Sequence, residues 1–241
     1  MNVIGVIPAR FSSARFAGKV LADLLGKPVV QHVWESAKKA KMMDDLIIAT
    51  DDERVLKAAT DFGAKAIYTS PDQPSGSDRL IEVVNPLDVK VIINIQGDEP
   101  MVRPEMIDDL ARAILDDEDV YMATLAKKIE DNSEIENPNV VKVVKDKNGF
   151  ALYFSRSIIP YRRHETAPMY YKHIGIYAYT KDFLFQFTNL PKSHLEMIEG
   201  LEQLRVLEAG YKIKVIETKF DTIGIDTPED LERARTIMSA K

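Results

Sequence analysis

Val91-Ile92-Ile93-Asn94-Ile95-Gln96-Gly97-Asp98-Glu99-Pro100 joins a short apolar run to a pair of carboxylates. The run is too short for a helix and rich in β-branched residues, and polar breakers close it. It reads as a strand buried on both faces, Val91 to Ile95. Two other stretches share this character: Val3 to Pro8, and Leu46-Ile47-Ile48-Ala49-Thr50. Amphipathic segments separate them. Pro28 sits at a helix start, with Val30, Val33, Trp34 and Ala37 at helical spacing behind it. Asp51-Asp52-Glu53 places acids where a helix dipole favours them; Val55, Ala59 and Phe62 follow, and Gly63 suits the end. Pro104 and Glu105 open a third helix, with Ile107, Leu110, Ala111 and Ile114 on one face. Apolar strands alternating with amphipathic helices predict an α/β fold: a Rossmann-like, mostly parallel open sheet with helices on both faces. Such sheets bind ligands at the carboxyl ends of their strands, here the loops after Ile7, Thr50 and Ile95.

The middle of the chain changes character. Val140 to Asp146, Phe150 to Phe154 and Ile174 to Tyr179 read as strands with little helix between them. This predicts a nucleotide-binding core over 1–131, a smaller and more antiparallel lobe inserted over 132–191, and a return to the core over 192–241. The return is read as one helix from His194 to Ala209, bearing Leu195, Ile198, Leu201 and Leu204, then a strand from Lys212 to Glu217. Thr227-Pro228-Glu229-Asp230 is a helix start with Thr as cap and Pro in the first turn.

Composition narrows the function. The 241 residues suit one large domain, or a domain with a lobe. Lys plus Arg number 32 against 38 Asp plus Glu, a net charge of −6, which argues against broad nucleic-acid binding but leaves room for local cationic pockets. The absence of cysteine removes disulfides, thiolate metal sites and a cysteine nucleophile, and is compatible with a reducing cytoplasm. No apolar run approaches the ~20 residues of a membrane span, and the opening Met1 to Pro8 lacks the basic leader of a signal peptide. The acidic run Asp116-Asp117-Glu118-Asp119 reads as a solvated loop.

Five sets of residues are candidates for chemistry. The loop Pro8-Ala9-Arg10 to Lys19 has neither a Walker nor a GxGxxG pattern, but it carries Arg10, Arg15 and Lys19. It is either a solvated basic loop or a phosphate cradle; its place directly after the first strand favours the cradle. Asp98, at the end of a buried strand, suits Mg²⁺, and Gly97 lets backbone approach closely. Asp226 precedes a helix that Thr227 already caps, so its carboxylate is partly free to share that ion with Asp98. The stiff turn around Pro74-Ser75-Gly76 precedes Arg79 and reads as a bare turn or as a reader of a base edge. Arg156, His173, Tyr177, Glu202 and Gln203 form the fifth set, each ordinary when taken singly.

In order along nearly the whole chain, these motifs resemble the 3-deoxy-manno-octulosonate (Kdo) cytidylyltransferases. The resemblance rests on Ile7-Pro8-Ala9-Arg10, Arg15-Phe16, Gly18-Lys19, Pro74-Ser75-Gly76, Asp78-Arg79 and Gln96-Gly97-Asp98-Glu99-Pro100. It continues through Asn137-Pro138-Asn139, Tyr153-Phe154-Ser155-Arg156, His173-Ile174-Gly175-Ile176-Tyr177, Leu201-Glu202-Gln203 and Asp226-Thr227-Pro228. The opening loop alone is shared with other sugar nucleotidyltransferases. Its combination with the lobe motifs is specific. Ala17 stands where the family usually has Pro, which loosens the loop backbone.

The resemblance implies a fold of the nucleotide-diphospho-sugar transferase type and the reaction CTP + Kdo → CMP-Kdo + diphosphate, with Mg²⁺. It implies Arg10, Arg15 and Lys19 on the triphosphate, and Asp98 and Asp226 on the metal. Pro8, Ala9, Arg10, Pro74, Ser75 and Gln96 would serve CTP. Arg79, Arg156, His173, Tyr177, Glu202 and Gln203 would serve the sugar acid. It further implies a homodimer in the bacterial cytoplasm that feeds lipopolysaccharide assembly, without nucleic-acid or membrane partners. A relative using 8-amino-Kdo or a sialic acid, or a non-catalytic nucleotide-binding relative, would share most of these motifs.

Overall fold

The computed structural model describes residues 1–13, 15–73, 76–164 and 169–240. In chain order the strands are β1 (Val3–Pro8), β2 (Asp23–Leu24), β3 (Lys27–Pro28), β4 (Asp45–Thr50), β5 (Lys65–Tyr68), β6 (Val91–Asn94), β7 (Met122–Lys128), β8 (Lys142–Lys145), β9 (Ala151–Ser155), β10 (Tyr171–Thr180) and β11 (Lys214–Glu217). The helices are α1 (Val29–Ala37), α2 (Glu53–Asp61), α3 (Gly76–Val84), α4 (Pro104–Leu115), α5 (Ser133–Glu136), α6 (Lys181–Thr188), α7 (His194–Glu199), α8 (Leu204–Glu208) and α9 (Pro228–Ser239).

The main sheet runs β11-β7-β10-β6-β1-β4-β5. β1 pairs in parallel with both β4 and β6, as do β4 with β5 and β7 with β11, while β10 is antiparallel to its neighbours. The two-residue period of each strand sends alternate side chains to opposite faces. Val3 and Ile7 of β1, with Leu46, Ile48, Val91 and Ile93, face a core closed by α1, α2 and α4. Ile4 and Val6, with Ile47, Ala49 and Ile92, face a second core closed by α3, α6 and α8. This is the α/β sheet with two helical layers expected from the sequence. A third, small cluster of Leu24, Val29, Ile225, Leu231 and Ala234 packs α9 against the β2–β3 hairpin.

The stretch 132–191 divides in the structure. β8 and β9 form an antiparallel extension joined to the start of β10 by the pairing of Lys142 with Lys172. The second half of β10 instead pairs with β6 in the central sheet, and α6 buries Phe183, Leu184 and Phe187 in the second core. Within 132–191, β10 therefore belongs both to the antiparallel extension and to the central sheet.

The single helix expected from His194 to Ala209 is two short helices. Gly200, in the left-handed region at φ 62°, ends α7, and the chain turns before α8. Ile198 consequently points outward instead of into the core. A buried ion pair connects the two helices: Arg205 donates from Nε and Nη2 to the Glu196 carboxylate at 2.7 and 2.5 Å. Burial would raise the Glu196 pKa, but the Arg205 hydrogen bond and charge outweigh it and hold the group below the ordinary carboxylate range. Removing one partner leaves the other charge buried and unpaired. Arg205→Met is therefore expected to cost about 3–5 kcal/mol at pH 7. The cost should shrink below pH 4, where the stranded Glu196 takes up a proton. Urea unfolding at the two pH values checks this; equal losses at both would contradict the pairing argument.

Candidate active site

The site forms where the loops after β1 and β6 meet the segment leading into α9. Two backbone features bring them together. A Cβ at Gly97 would lie 2.8 Å from the carbonyl oxygen of Pro8, so only glycine lets the β6 loop pass this close to the end of β1. The Ile225 amide donates to the Asp98 carbonyl at 2.9 Å, which seats Asp226 beside Asp98. Thr227 and Asp230 then form a reciprocal capping box at the start of α9, leaving the Asp226 carboxylate outside the cap.

Lys19 enters from the other side. Gly18, at φ 72°, begins the short 3₁₀ turn Lys19–Leu21 and packs against the Phe11 ring. The Gly18 amide bonds the Phe11 carbonyl at 2.8 Å and the Lys19 amide that of Phe16 at 3.3 Å, so the backbone around Ala17 is held without the family's proline. The Lys19 ammonium donates to Asp98 Oδ2 at 2.5 Å and to Asp226 Oδ1 at 2.8 Å. Arg15 pairs with the other oxygen of Asp226 at 2.9 Å. Burial would lower the Lys19 pKa, but the two carboxylates outweigh it and raise the group above its ordinary value. Burial would raise Asp226, but Lys19 and then Arg15 hold it below the carboxylate range. Two cations thus neutralise two anions at this point.

Glu99 lies beside them. Burial, followed by repulsion from Asp98, lifts its pKa to about 7, and its Oε2 is buried without a hydrogen-bond partner. Among the described residues no cluster of three or more His, Cys, Asp or Glu forms a metal cage. A pair of aspartates that already embraces one cation fits an ion such as Mg²⁺, which takes few protein carboxylates and completes its shell with water and phosphate.

On the nucleotide side, Ala9 is anchored through its amide to the Ala49 carbonyl at 2.8 Å. Arg10 donates to the Gln73 carbonyl at 2.7 Å, and its Nε is buried without a partner. Gln96 reaches Asn94 at 3.4 Å, at the end of the same strand. Pro8 lies near the start of α3, while Pro74 and Ser75 fall outside the described residues.

A groove of about 820 Å³ runs from Arg15, Glu99 and Asp226 to Arg156, His173 and Lys172. Arg156 is held by the carbonyls of Glu199 at 2.8 Å and Pro138 at 3.1 Å. These bonds use Nε and Nη1, so the guanidinium is already oriented. His173 packs its ring on Phe154 and Tyr177, and its Nε2 lies 2.9 Å from the Thr124 hydroxyl. That hydroxyl also serves the Ile174 and Ile176 carbonyls at 3.2 and 2.9 Å, across the bulge between β10 and β7. With the Thr124 proton committed to the carbonyls, His173 Nε2 carries the hydrogen and Nδ1 is the acceptor. Burial pushes the His173 pKa down to about 3, so the ring is a neutral hydrogen-bond partner and not a carboxylate receptor.

The remaining candidates are elsewhere. Arg79 is fully buried, donating to Thr69 Oγ1 and, at 2.7 Å, to Asp51. Its Nε is buried without a partner, and Arg79 is not among the groove-lining residues. Glu202 accepts from Ser77 at 3.0 Å, and Gln203 is buried with Nε2 unpartnered. Neither is among the groove-lining residues. Sequence reading missed Lys172, which bridges Glu134 at 2.7 Å and Asp221 at 2.8 Å on the groove wall. A buried lysine in a strand is its only signal in the sequence.

A cytidylyltransferase family model matches residues 4–213. The 3-deoxy-manno-octulosonate cytidylyltransferase of Solibacter usitatus is 51% identical over 240 residues, covering 99% of this chain and 95% of that protein. Its counterpart from Thermodesulfovibrio yellowstonii is 51% identical over 253 residues, covering 99% of each. This chain belongs to the 3-deoxy-manno-octulosonate cytidylyltransferase family. A solved CMP:2-keto-3-deoxy-manno-octonic acid synthetase complexed with CTP matches with a TM-score of 0.95 and 44% identity, over 100% of this chain and 99% of that one. A putative glucose-1-phosphate thymidylyltransferase from Bacillus anthracis, at 16% identity and a TM-score of 0.70, shares the fold.

Within this cytidylyltransferase, the neutral His173 is a feature that can be read directly. Its ring is expected to stay uncharged between pH 8 and about pH 4, with the hydrogen on Nε2. Long-range ¹⁵N–¹H NMR correlations of the imidazole report both properties. A titration of His173 centred near 6.5 would remove it from the neutral role.

Proposed function

We propose that the chain catalyses CTP + Kdo → CMP-Kdo + diphosphate with Mg²⁺ as cofactor. The observation that carries this reading is a groove lined at one end by Arg15 and Asp226, with Lys19 joining Asp226 to Asp98 beside it, and at the other end by Arg156 and His173. A triphosphate needs cations, a divalent ion needs carboxylates, and a sugar acid needs an oriented receptor; the groove offers all three within one volume.

Asp98 and Asp226 would hold the ion, which would neutralise charge on the reacting phosphate. Arg10, Arg15 and Lys19 bind the triphosphate. The anomeric hydroxyl of the sugar acid attacks the α-phosphorus, its proton leaves as the new P–O bond forms, and the bond to diphosphate breaks. Arg156 receives the carboxylate of the sugar, and His173 Nδ1 accepts from one of its hydroxyls. Catalysis then rests on alignment and charge neutralisation. We assign the sugar-binding and dimer-forming roles to the β8–β9 region. Leu152, Ile158, Tyr161, Met169, Met197 and Ile198 are exposed apolar side chains in and around it, and among the described residues β9 pairs only with β8. No helix among the described residues is long and apolar enough to cross a membrane. A bacterial cytoplasmic homodimer supplying lipopolysaccharide assembly is the setting that this chemistry suits, with no nucleic-acid partner. Light scattering should give a mass near twice 27.2 kDa; a monomer at micromolar concentration would contradict the dimer.

Diphosphate release from CTP and Mg²⁺, measured with Kdo, 8-amino-Kdo and a sialic acid in turn, tests the reaction. Kdo should be used best. Turnover only with another acid would change the substrate, and none at all would make the chain a binding protein. In the same assay Asp98→Asn should lower kcat by at least ~100-fold at saturating Mg²⁺. Arg156→Lys should lower kcat/KM for Kdo by ~10- to 100-fold, since Lys cannot form the planar two-bond contact, while CTP binding by calorimetry stays unchanged. An equal loss on the CTP side would put Arg156 on the wrong substrate.

A further inference from the structure

The carboxylates assigned to the metal and the cations assigned to the triphosphate satisfy one another. Lys19 Nζ bonds both Asp98 and Asp226, and Arg15 takes the remaining Asp226 oxygen. We propose that Lys19 is the resident counter-ion of the Asp98–Asp226 pair, and that divalent-metal and triphosphate binding are coupled through transfer of its ammonium from the carboxylates to the phosphates. This rests on the metal and phosphate assignments above and adds an exchange between them.

Three observations support the exchange. The ammonium sits between the two carboxylates, in the space that a shared cation would need. The Lys19 side chain is only 13% exposed, so displacing its charge without a new anion to meet it is unfavourable. The backbone beneath is fixed by the Gly18 turn and the Phe16 carbonyl, yet the four-carbon stem is free to swing its ammonium without moving the loop.

Consider the alternatives in turn. A divalent ion arriving alone meets an ammonium that has nowhere favourable to go. A triphosphate arriving alone draws Lys19 and Arg15 away and leaves two carboxylates uncompensated. Arriving together, each charged group exchanges one opposite partner for another. The coupling is reciprocal, so each ligand raises affinity for the other by the same factor.

The test uses Mn²⁺ alone, titrated into nucleotide-free protein, with free Mn²⁺ read by electron paramagnetic resonance. The wild type is expected to bind weakly. Lys19→Met keeps the stem and removes the charge, and should bind one Mn²⁺ at least ~10-fold more tightly. Lys19→Arg keeps a cation and should stay as weak as the wild type. Adding Asp98→Asn to Lys19→Met should abolish the gain. Lys19→Met binding no more tightly than wild type, Lys19→Arg gaining as much as Lys19→Met, or a gain that survives loss of Asp98 would each overturn the counter-ion role. The metal assignment itself is judged separately, by the turnover of Asp98→Asn at saturating Mg²⁺.

Discussion

One ammonium group between two aspartates organises this molecule. Asp98 follows a central strand, Asp226 precedes the last helix, and Lys19 follows the first strand, so the contact joins three distant parts of the chain. Like charges this close repel, and a cation between them offsets that repulsion. The fold supplies Lys19 as that cation, and in the proposed reaction a metal would take its place.

The scaffold exists to make that contact repeatable. Gly97 permits β1 and β6 to end almost against each other, and the Ile225–Asp98 backbone bond joins the segment before α9 to the same spot. The antiparallel β10 then carries the site toward the sugar. Its second half lies in the central sheet beside β6, and its first half reaches the β8–β9 extension where His173 and Arg156 line the groove. A single strand thus runs from beside β6 to the His173 end of the groove, and the bulge bridged by Thr124 sets how His173 faces it.

Much of this was legible in the residues. β1, β4 and β6 are buried on both faces, so their unbroken apolar runs announce a parallel sheet. β5 and β7 went unread for opposite reasons: Lys65–Tyr68 is a largely exposed edge strand, and Met122–Lys128 replaces Val and Ile with Ala, Thr and Lys. The break at Gly200 was visible as a glycine but outweighed by the leucine spacing around it. At the site, strand-end logic found Asp98, and the prior claim of Thr227 on the helix cap freed Asp226. The pairing of Arg79 with Asp51 was not legible, because Asp51 lies at another strand end and a pairing between distant residues leaves no local trace. Glu99 was hidden for the same reason, since its perturbation comes from burial beside two acids.

The most direct measurement is a crystal structure of the protein with CTP and Mn²⁺, with the metal located by its anomalous scattering. The account predicts one peak bridging Asp98 and Asp226, with the Lys19 ammonium moved onto the triphosphate. A metal bound to the phosphates without either aspartate, or a Lys19 still lodged between the two carboxylates, would contradict it.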